Sequence, residues 1–196
     1  MTEKPRLRII PLGGLGEIGM NMMVFEYGDS IIVVDCGLMF PDDSMLGIDI
    51  VIQDISYLKR NKDKVKAFVI THGHEDHTGS LPFVLREINA PIYGTALTLG
   101  LIKSKLEEFN LLSETVFETV RPRDVVSIGP FTIEFIRVSH SIVDGVALAI
   151  KTPVGVVIHT GDFKFDQTPV DNEVTDYARF ADYGEKGVLA LLSDST

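Results

Sequence analysis

The chain is 196 residues long and 45% apolar, enough for the core of one domain without covalent staples. Its single cysteine, Cys36, excludes an internal disulfide and fits a reducing compartment. A formal net charge of −10 excludes long-range, non-specific capture of nucleic acid by this segment, so a polyanionic substrate would have to be held locally. No apolar run is long enough to span a bilayer, and Met1 to Arg6 leads into a strand without a signal-peptide core, so the expected location is cytoplasmic.

In chain order, Leu7 to Pro11 reads as a strand. The next stretch, Leu12-Gly13-Gly14-Leu15-Gly16-Glu17-Ile18-Gly19, formally matches a dinucleotide fingerprint through Gly14, Gly16 and Gly19, with Asp35 near the place of a ribose-binding acid. That fingerprint needs a helix next, to hold the pyrophosphate. Here Met20 to Tyr27, the turn Gly28-Asp29 and Ile31 to Val34 read as a β-hairpin. The glycines are therefore expected to let the backbone pass close to a site. Asp35 closes the second strand as a ligand, a partner that orients a ligand histidine, or a loop cap, and the second role is favoured. Cys36 reads as a small core residue. Ile48, Val51, Ile52, Ile55 and Leu58 recur at helical spacing and predict a helix from Ile48 to Leu58. Asp42, Asp43 and Asp49 are read as solvated loop acids rather than a calcium site.

Ala67 to Ile70 is a buried strand, and it runs into Thr71-His72-Gly73-His74-Glu75-Asp76-His77. The chain has five histidines, and three of them lie in this stretch. Imidazole and carboxylate suit zinc and similar divalent ions, so this is the expected metal centre. A tight turn at Gly73 would aim His72 and His74 at one point, and the exposed loop groups Asp76 and His77 at a neighbouring one. Ser80 is expected to cap a helix from Leu81 to Ile88. Ile92-Tyr93 is a short strand. Thr95 is expected to cap a helix to about Phe109, with Leu97, Leu101 and Leu106 on its apolar positions. Val125 to Ile128 and Phe131 to Val138 form a hairpin-like pair ending in Ser139-His140, and Val146 to Ile150 with Val154 to Ile158 form another, leading to His159-Thr160-Gly161-Asp162. Val174 to Tyr183 reads as a helix and Val188 to Leu192 as a final buried strand before Ser193-Asp194.

His72, His140, Asp162, Asp35 and Asp194 thus each follow a predicted strand within four residues. If those strands share a polarity, the groups converge at one sheet end, where loops are free to supply chemistry. His159 is expected to support the site rather than ligate.

With His72-x-His74-x-Asp76-His77 after a strand, the chain resembles the metallo-β-lactamase superfamily. More narrowly, Leu12 to Gly19, Thr71 to Gly79, His159 to Asp166 and Leu191 to Thr196 resemble the N-terminal part of the β-CASP group of RNA-processing nucleases, over nearly the whole chain. The resemblance implies an α/β fold, an αββα sandwich of mixed sheets, with residues 1–196 as a metallo-β-lactamase domain that stops where a β-CASP domain is expected. It implies that His72, His74 and His140 hold one zinc, that Asp76 and His77 hold a second, and that Asp162 bridges them; manganese or magnesium are alternatives. Asp35 matches the superfamily's first acidic motif, and Asp194 the first β-CASP motif, beside the site. The implied reaction is two-metal hydrolysis of a phosphodiester, with Asp76, His77, Asp162 and Asp194 as catalytic residues. The implied parent is a homo-oligomer that degrades 5′-monophosphorylated RNA from the 5′ end and also cuts internally. The glycine stretch and a downstream domain would form its RNA channel. A downstream histidine would complete the second metal site, so residues 1–196 alone are expected to bind metal yet cleave RNA poorly. The rival readings are a hydrolase of a small thioester or lactam and a non-catalytic metal- or RNA-binding module.

Overall fold

The computed structural model describes residues 6–195; the reading of Met1 to Pro5 and the closing Thr196 lie outside the described residues. Two mixed sheets stack face to face. The first has six strands in sequence order, β1 (Leu7–Gly13), β2 (Met22–Tyr27), β3 (Ser30–Val34), β4 (Val65–Val69), β5 (Ile92–Gly94) and β6 (Phe117–Thr119). Antiparallel pairing joins β1 to β3, and parallel pairing continues through β4, β5 and β6. The second sheet is ordered β11-β10-β9-β8-β7. Here β7 (Val125–Ile128), β8 (Phe131–Arg137), β9 (Val146–Thr152) and β10 (Gly155–His159) form an antiparallel meander, and β11 (Ala190–Leu192) adds parallel to β10.

Period-two alternation explains the layers. On β2 and β3, Met23, Phe25, Ile32 and Val34 face the space between the sheets, while Met22, Val24, Ile31 and Val33 face outward. From the second sheet, Phe131, Ile133, Phe135, Leu148 and Ile150 fill the same inner layer. Both faces of β2 and β3 are therefore covered, which is why these strands read as unbroken apolar runs. The outer face of the first sheet carries α1 (Ser56–Arg60), α3 (Leu81–Val84) and α4 (Ala96–Glu108) through Leu58, Leu81, Leu99, Ile102 and Leu106. The outer face of the second sheet offers the small Ala147 and Ala149, against which Tyr183 of α5 (Tyr177–Lys186) packs. Each fully buried Leu or Phe contributes about 1.5–3 kcal/mol relative to exposure. The order helix, sheet, sheet, helix is the predicted αββα sandwich.

Several local expectations fail. The helix predicted from Ile48 is reduced to α1. Upstream of it the chain is held open, because Met39 and Val51 exchange backbone hydrogen bonds and the buried Gln53 side chain donates to the Gly37 carbonyl at 2.7 Å. The helix after Ser80 is regular only over Leu81–Val84, although Ile88 N still donates to the Val84 carbonyl. Ser80 does not cap with its side chain; its hydroxyl serves Gln53 and Cys36 instead. Thr95 likewise spends its hydroxyl on the Asp144 carbonyl, and Leu97 and Leu101 of α4 are exposed. The last helix begins at Tyr177, where the Asp176 carboxylate accepts from Arg179 N, rather than at Val174. β11 is an edge strand with Leu191 60% exposed, not a buried one. β6 was not foreseen.

Candidate metal centre

The strands preceding the candidate groups end together. β3 and β4 run parallel, as do β10 and β11, while β8 shares their direction with β9 between. The sheets meet at this end, where Val146 N donates to the Thr71 carbonyl at 3.0 Å. The turn carrying His74, Asp76 and His77 is short helix α2 (Glu75–Thr78), clamped against residues 35–38 by backbone bonds from Cys36 N to His77 O (2.7 Å) and Leu38 N to Glu75 O (3.0 Å). A Cβ on Gly37 would lie 1.5 Å from the Asp76 carbonyl oxygen, so only glycine fits this crossing. Gly73 has a packing role instead of the predicted turn role: it lacks a left-handed φ, and a Cβ there would meet Leu101 Cδ1 at 2.6 Å.

Asp35 organises the first half of the site. Its backbone is left-handed (φ 61°), a conformation that costs a non-glycine residue about 1–3 kcal/mol. In return its buried carboxylate accepts from Thr71 N at 2.8 Å, Thr71 Oγ1 at 2.9 Å and His77 Nδ1 at 2.8 Å. The bond from Nδ1 leaves His77 Nε2 to face Asp162 Oδ1 at 3.3 Å. Thr71 has one hydroxyl proton, directed to Asp35, so its oxygen accepts from His72 Nδ1 at 3.0 Å and leaves His72 Nε2 bare. His72 Nε2 and His74 Nδ1 stand 3.1 Å apart. Ligand atoms about 2.0–2.1 Å from a tetrahedral zinc are about 3.3 Å apart, so both pairs fit a shared cation.

Two donor groups result. His72, His74 and His140 form one; His72, His77 and Asp162 form the other, and within each the ligand atoms lie within 4.8 Å. His72 is common to both. Asp162 faces each in turn, with Oδ1 toward His77 and Oδ2 3.6 Å from His140 Nε2. Asp76 belongs to neither group; its Oδ2 lies 3.6 Å from His77 Nε2. His77 is not the exposed loop group expected, since its side chain is 2% accessible. Burial, with His77 nearby, holds His72 neutral and its pKa down to about 2, which suits a ligand. At His77 burial opposes the charged form, but Asp35 and Asp162 outweigh it and lift the pKa to about 10. Burial likewise lowers His140. The described histidines and aspartates thus fit divalent cations in donor type and spacing, His72 and His140 also in protonation, while His77 must give up its proton to ligate.

His159 lies outside both groups. Its Nδ1 accepts from Gly161 N at 3.1 Å, steadying the turn that presents Asp162. Asp194 also lies outside them; its N donates to Thr160 Oγ1 at 3.0 Å, and it lines a cleft of about 610 Å³ shared with His77, Asp162 and the glycine stretch. In that stretch Gly14, Gly16 and Gly19 all have positive φ, and β2 follows, not a helix, so no dinucleotide loop is built. Sequence reasoning missed Asn21, whose side chain reaches His77 Nε2 at 3.1 Å and the Asp76 carbonyl at 3.2 Å. It also missed Thr71 as the holder of His72. Position immediately before the histidine motif was the only available signal for Thr71; Asn21 gave none.

The fold and the site define the class: the model of the metallo-beta-lactamase superfamily matches residues 15–192, and the chain belongs to that superfamily. Among curated relatives it is 52% identical over its whole length to ribonuclease J of Synechocystis sp., and 53% identical to ribonuclease J of Helicobacter pylori strain 26695. It spans 31% and 29% of their lengths, about a third of each relative. The metallo-beta-lactamase fold protein YhfI from Bacillus subtilis superposes with a TM-score of 0.55 at 23% identity, covering 79% of this chain and 62% of that one, a likeness of fold. No helix among the described residues is long and apolar enough to cross a membrane.

Proposed function

We propose that this chain is the metallo-β-lactamase domain, the N-terminal part, of a metal-dependent ribonuclease that hydrolyses RNA phosphodiesters. The observation that carries the reading is Asp162, whose two oxygens face two donor groups that share His72. A carboxylate so placed suits a pair of cations, and the relatives about 50% identical over the whole chain are named ribonuclease J. His72, His74 and His140 would hold one ion, and Asp76 and His77 the other, with Asp162 between. The histidine-rich donor set favours zinc, with manganese or magnesium as substitutes. Such a pair supplies Lewis acidity and a nucleophile at neutral pH.

The chain's own residues do the rest. Asp35 fixes the His77 tautomer and Thr71 fixes that of His72, so each presents Nε2 to the centre. Asp194, on the cleft wall, would orient water or take up a proton near the substrate. In the whole protein we assign 5′-to-3′ exonucleolytic and endonucleolytic cleavage, a 5′-monophosphorylated RNA substrate and a homo-oligomeric state. A cytoplasmic setting accords with the single buried thiol, Cys36.

The test is to load the full-length protein with zinc or manganese and offer 5′-monophosphorylated RNA, a thioester and a lactam. Cleavage of RNA alone, abolished by Asp162→Ala, is the expected result. Turnover of the thioester or lactam with RNA untouched would replace this reading with the rival hydrolase.

A further inference from the structure

Two clefts meet at the histidine cluster, and their walls differ in charge. The larger one, on the side of His77 and Asp162, is lined by no lysine or arginine and includes Glu17, Asp76 and Asp194. The smaller, about 230 Å³, opens beside His140 and is lined by both Arg137 and Lys164. These are the only cations among the described residues lining either cleft. In a chain of net charge −10, these two side chains are the cations that the clefts offer a polyanion.

We infer that the cleft walled by Arg137 and Lys164 seats a backbone phosphate of the RNA flanking the phosphate that is hydrolysed; this rests on the ribonuclease reading above. The wall is built in place. Lys164 N donates to the Ser139 carbonyl at 2.7 Å, the Arg137 carbonyl accepts from Asp176 N at 3.0 Å, and Ser139 N donates to Thr175 Oγ1 at 2.9 Å. Both cations are paired at their tips with carboxylates that solvent reaches. Arg137 pairs with Glu173, whose side chain is 53% exposed, and Lys164 pairs with Asp166 at 2.9 Å while half exposed itself. Exposed pairs of this kind contribute about 0–1 kcal/mol, so a phosphate can replace the carboxylates. The guanidinium can then bind it through two parallel hydrogen bonds. The remaining acids on the wall are engaged with backbone, Asp144 accepting from Leu97 N and Asp171 from Glu173 N. The volume admits a phosphate with part of its sugar; drug-sized ligands take pockets of about 300–1,000 Å³.

The experiment compares two substrates in the metal-loaded full-length protein. One is an oligoribonucleotide; the other is bis(p-nitrophenyl) phosphate, a single phosphodiester with no flanking phosphate. For R137Q/K164Q we expect KM for RNA to rise ~10-fold with kcat within about twofold, and the salt slope of log affinity to fall by about 0.7, the value for one phosphate contact on a single strand. Hydrolysis of bis(p-nitrophenyl) phosphate should be unchanged, and E173Q, which frees Arg137, should lower KM for RNA. If R137Q does not fold, K164Q alone carries the test, with a smaller rise in KM for RNA and a slope change of the same sign. An unchanged KM and slope for RNA would overturn the inference while leaving the ribonuclease reading intact. So would an equal loss on both substrates, which marks a structural role. Hydrolysis of neither substrate by the parent protein would overturn both.

Discussion

On the first sheet, the side chains of Asp35 and His77 are 1% and 2% accessible and tied to a clamped turn by side-chain and backbone bonds. On the second, His140 and Asp162 are 19% and 23% accessible, and they follow β8 and β10 on loops with fewer ties. The first half of the centre is shaped by the protein alone. The second half is brought to the right place by the stacking of the sheets and leaves its orientation to what binds there. Function and folding should therefore separate in the second half and at the rim, and be entangled in the first.

The largest expected effect breaks the comparison by activity. Asp76 is 35% accessible at its side chain, so on the ribonuclease reading Asp76→Ala in the full-length protein should keep the melting temperature within about 2 °C yet reduce RNA cleavage by about 10³-fold or more. His77→Ala should lose as much activity and also unfold at lower temperature, because it strips a buried partner from Asp35. Parallel melting and turnover measurements decide, and equal melting temperatures for the two variants would erase the proposed asymmetry.

Next comes the clamp. Gly37→Ala must move the Asp76 carbonyl, which is backbone and cannot rotate away. A destabilisation of about 3 kcal/mol or more is expected, at the upper end for overpacking, with loss of bound metal. Urea unfolding together with elemental analysis checks it. Gly145→Ala, in the loop that enters β9 of the second sheet, where an added Cβ meets nothing closer than 3.7 Å, is the paired control and should cost far less.

How much of this was legible beforehand follows the same division. The metal-binding types and their strand-end positions were readable, because largely apolar runs of four to eight residues followed by His or Asp are local patterns. His72, His74, His77, His140 and Asp162 were picked out that way, and the structure brings them together. The holders were not readable. Gly37 and Asn21 matter through crossings with residues 76 and 77, a relation no local pattern carries. The false helix at Ile48 to Leu58 has the same origin: Val51 pairs with Met39, and buried Gln53 bonds Gly37, so tertiary partners overrode a helical period.

A third, smaller effect sharpens the role of Asp35. Asp35→Asn keeps the size of the side chain but replaces one accepting oxygen with a donor facing His77 or Thr71. The His77 tautomer is then no longer fixed, and metal affinity should fall about 10–100-fold. Competition with a chelator measures this. Affinity within twofold of the parent would show that the clamp alone orients His77.

The last effect, on stability alone, lies far from the candidate metal centre and tests whether the second sheet has a rigid anchor of its own. Glu134 on β8 is 4% accessible at its side chain; it accepts from Arg179 Nη2 at 2.7 Å and from Tyr183 OH at 2.6 Å, both on α5. The Arg179 bond, against the opposing effect of burial, holds the Glu134 carboxyl below its ordinary value. A lowered folded-state pKa means that the unfolded chain takes up the proton first. The stabilisation is therefore complete above the unfolded value near 4.5 and is lost as pH falls from there through the folded value. Glu134→Gln should remove about 1.5–3 kcal/mol at pH 7, the range for hydrogen bonds to a charged group. The deficit should shrink as pH falls below about 4.5, since the parent then loses the same contribution. Denaturant unfolding of parent and variant at pH 7 and at pH 3.5 tests both the size and the sign. A deficit that grew on acidification would mean that the neutral form of Glu134, not its carboxylate, holds α5 to the sheet.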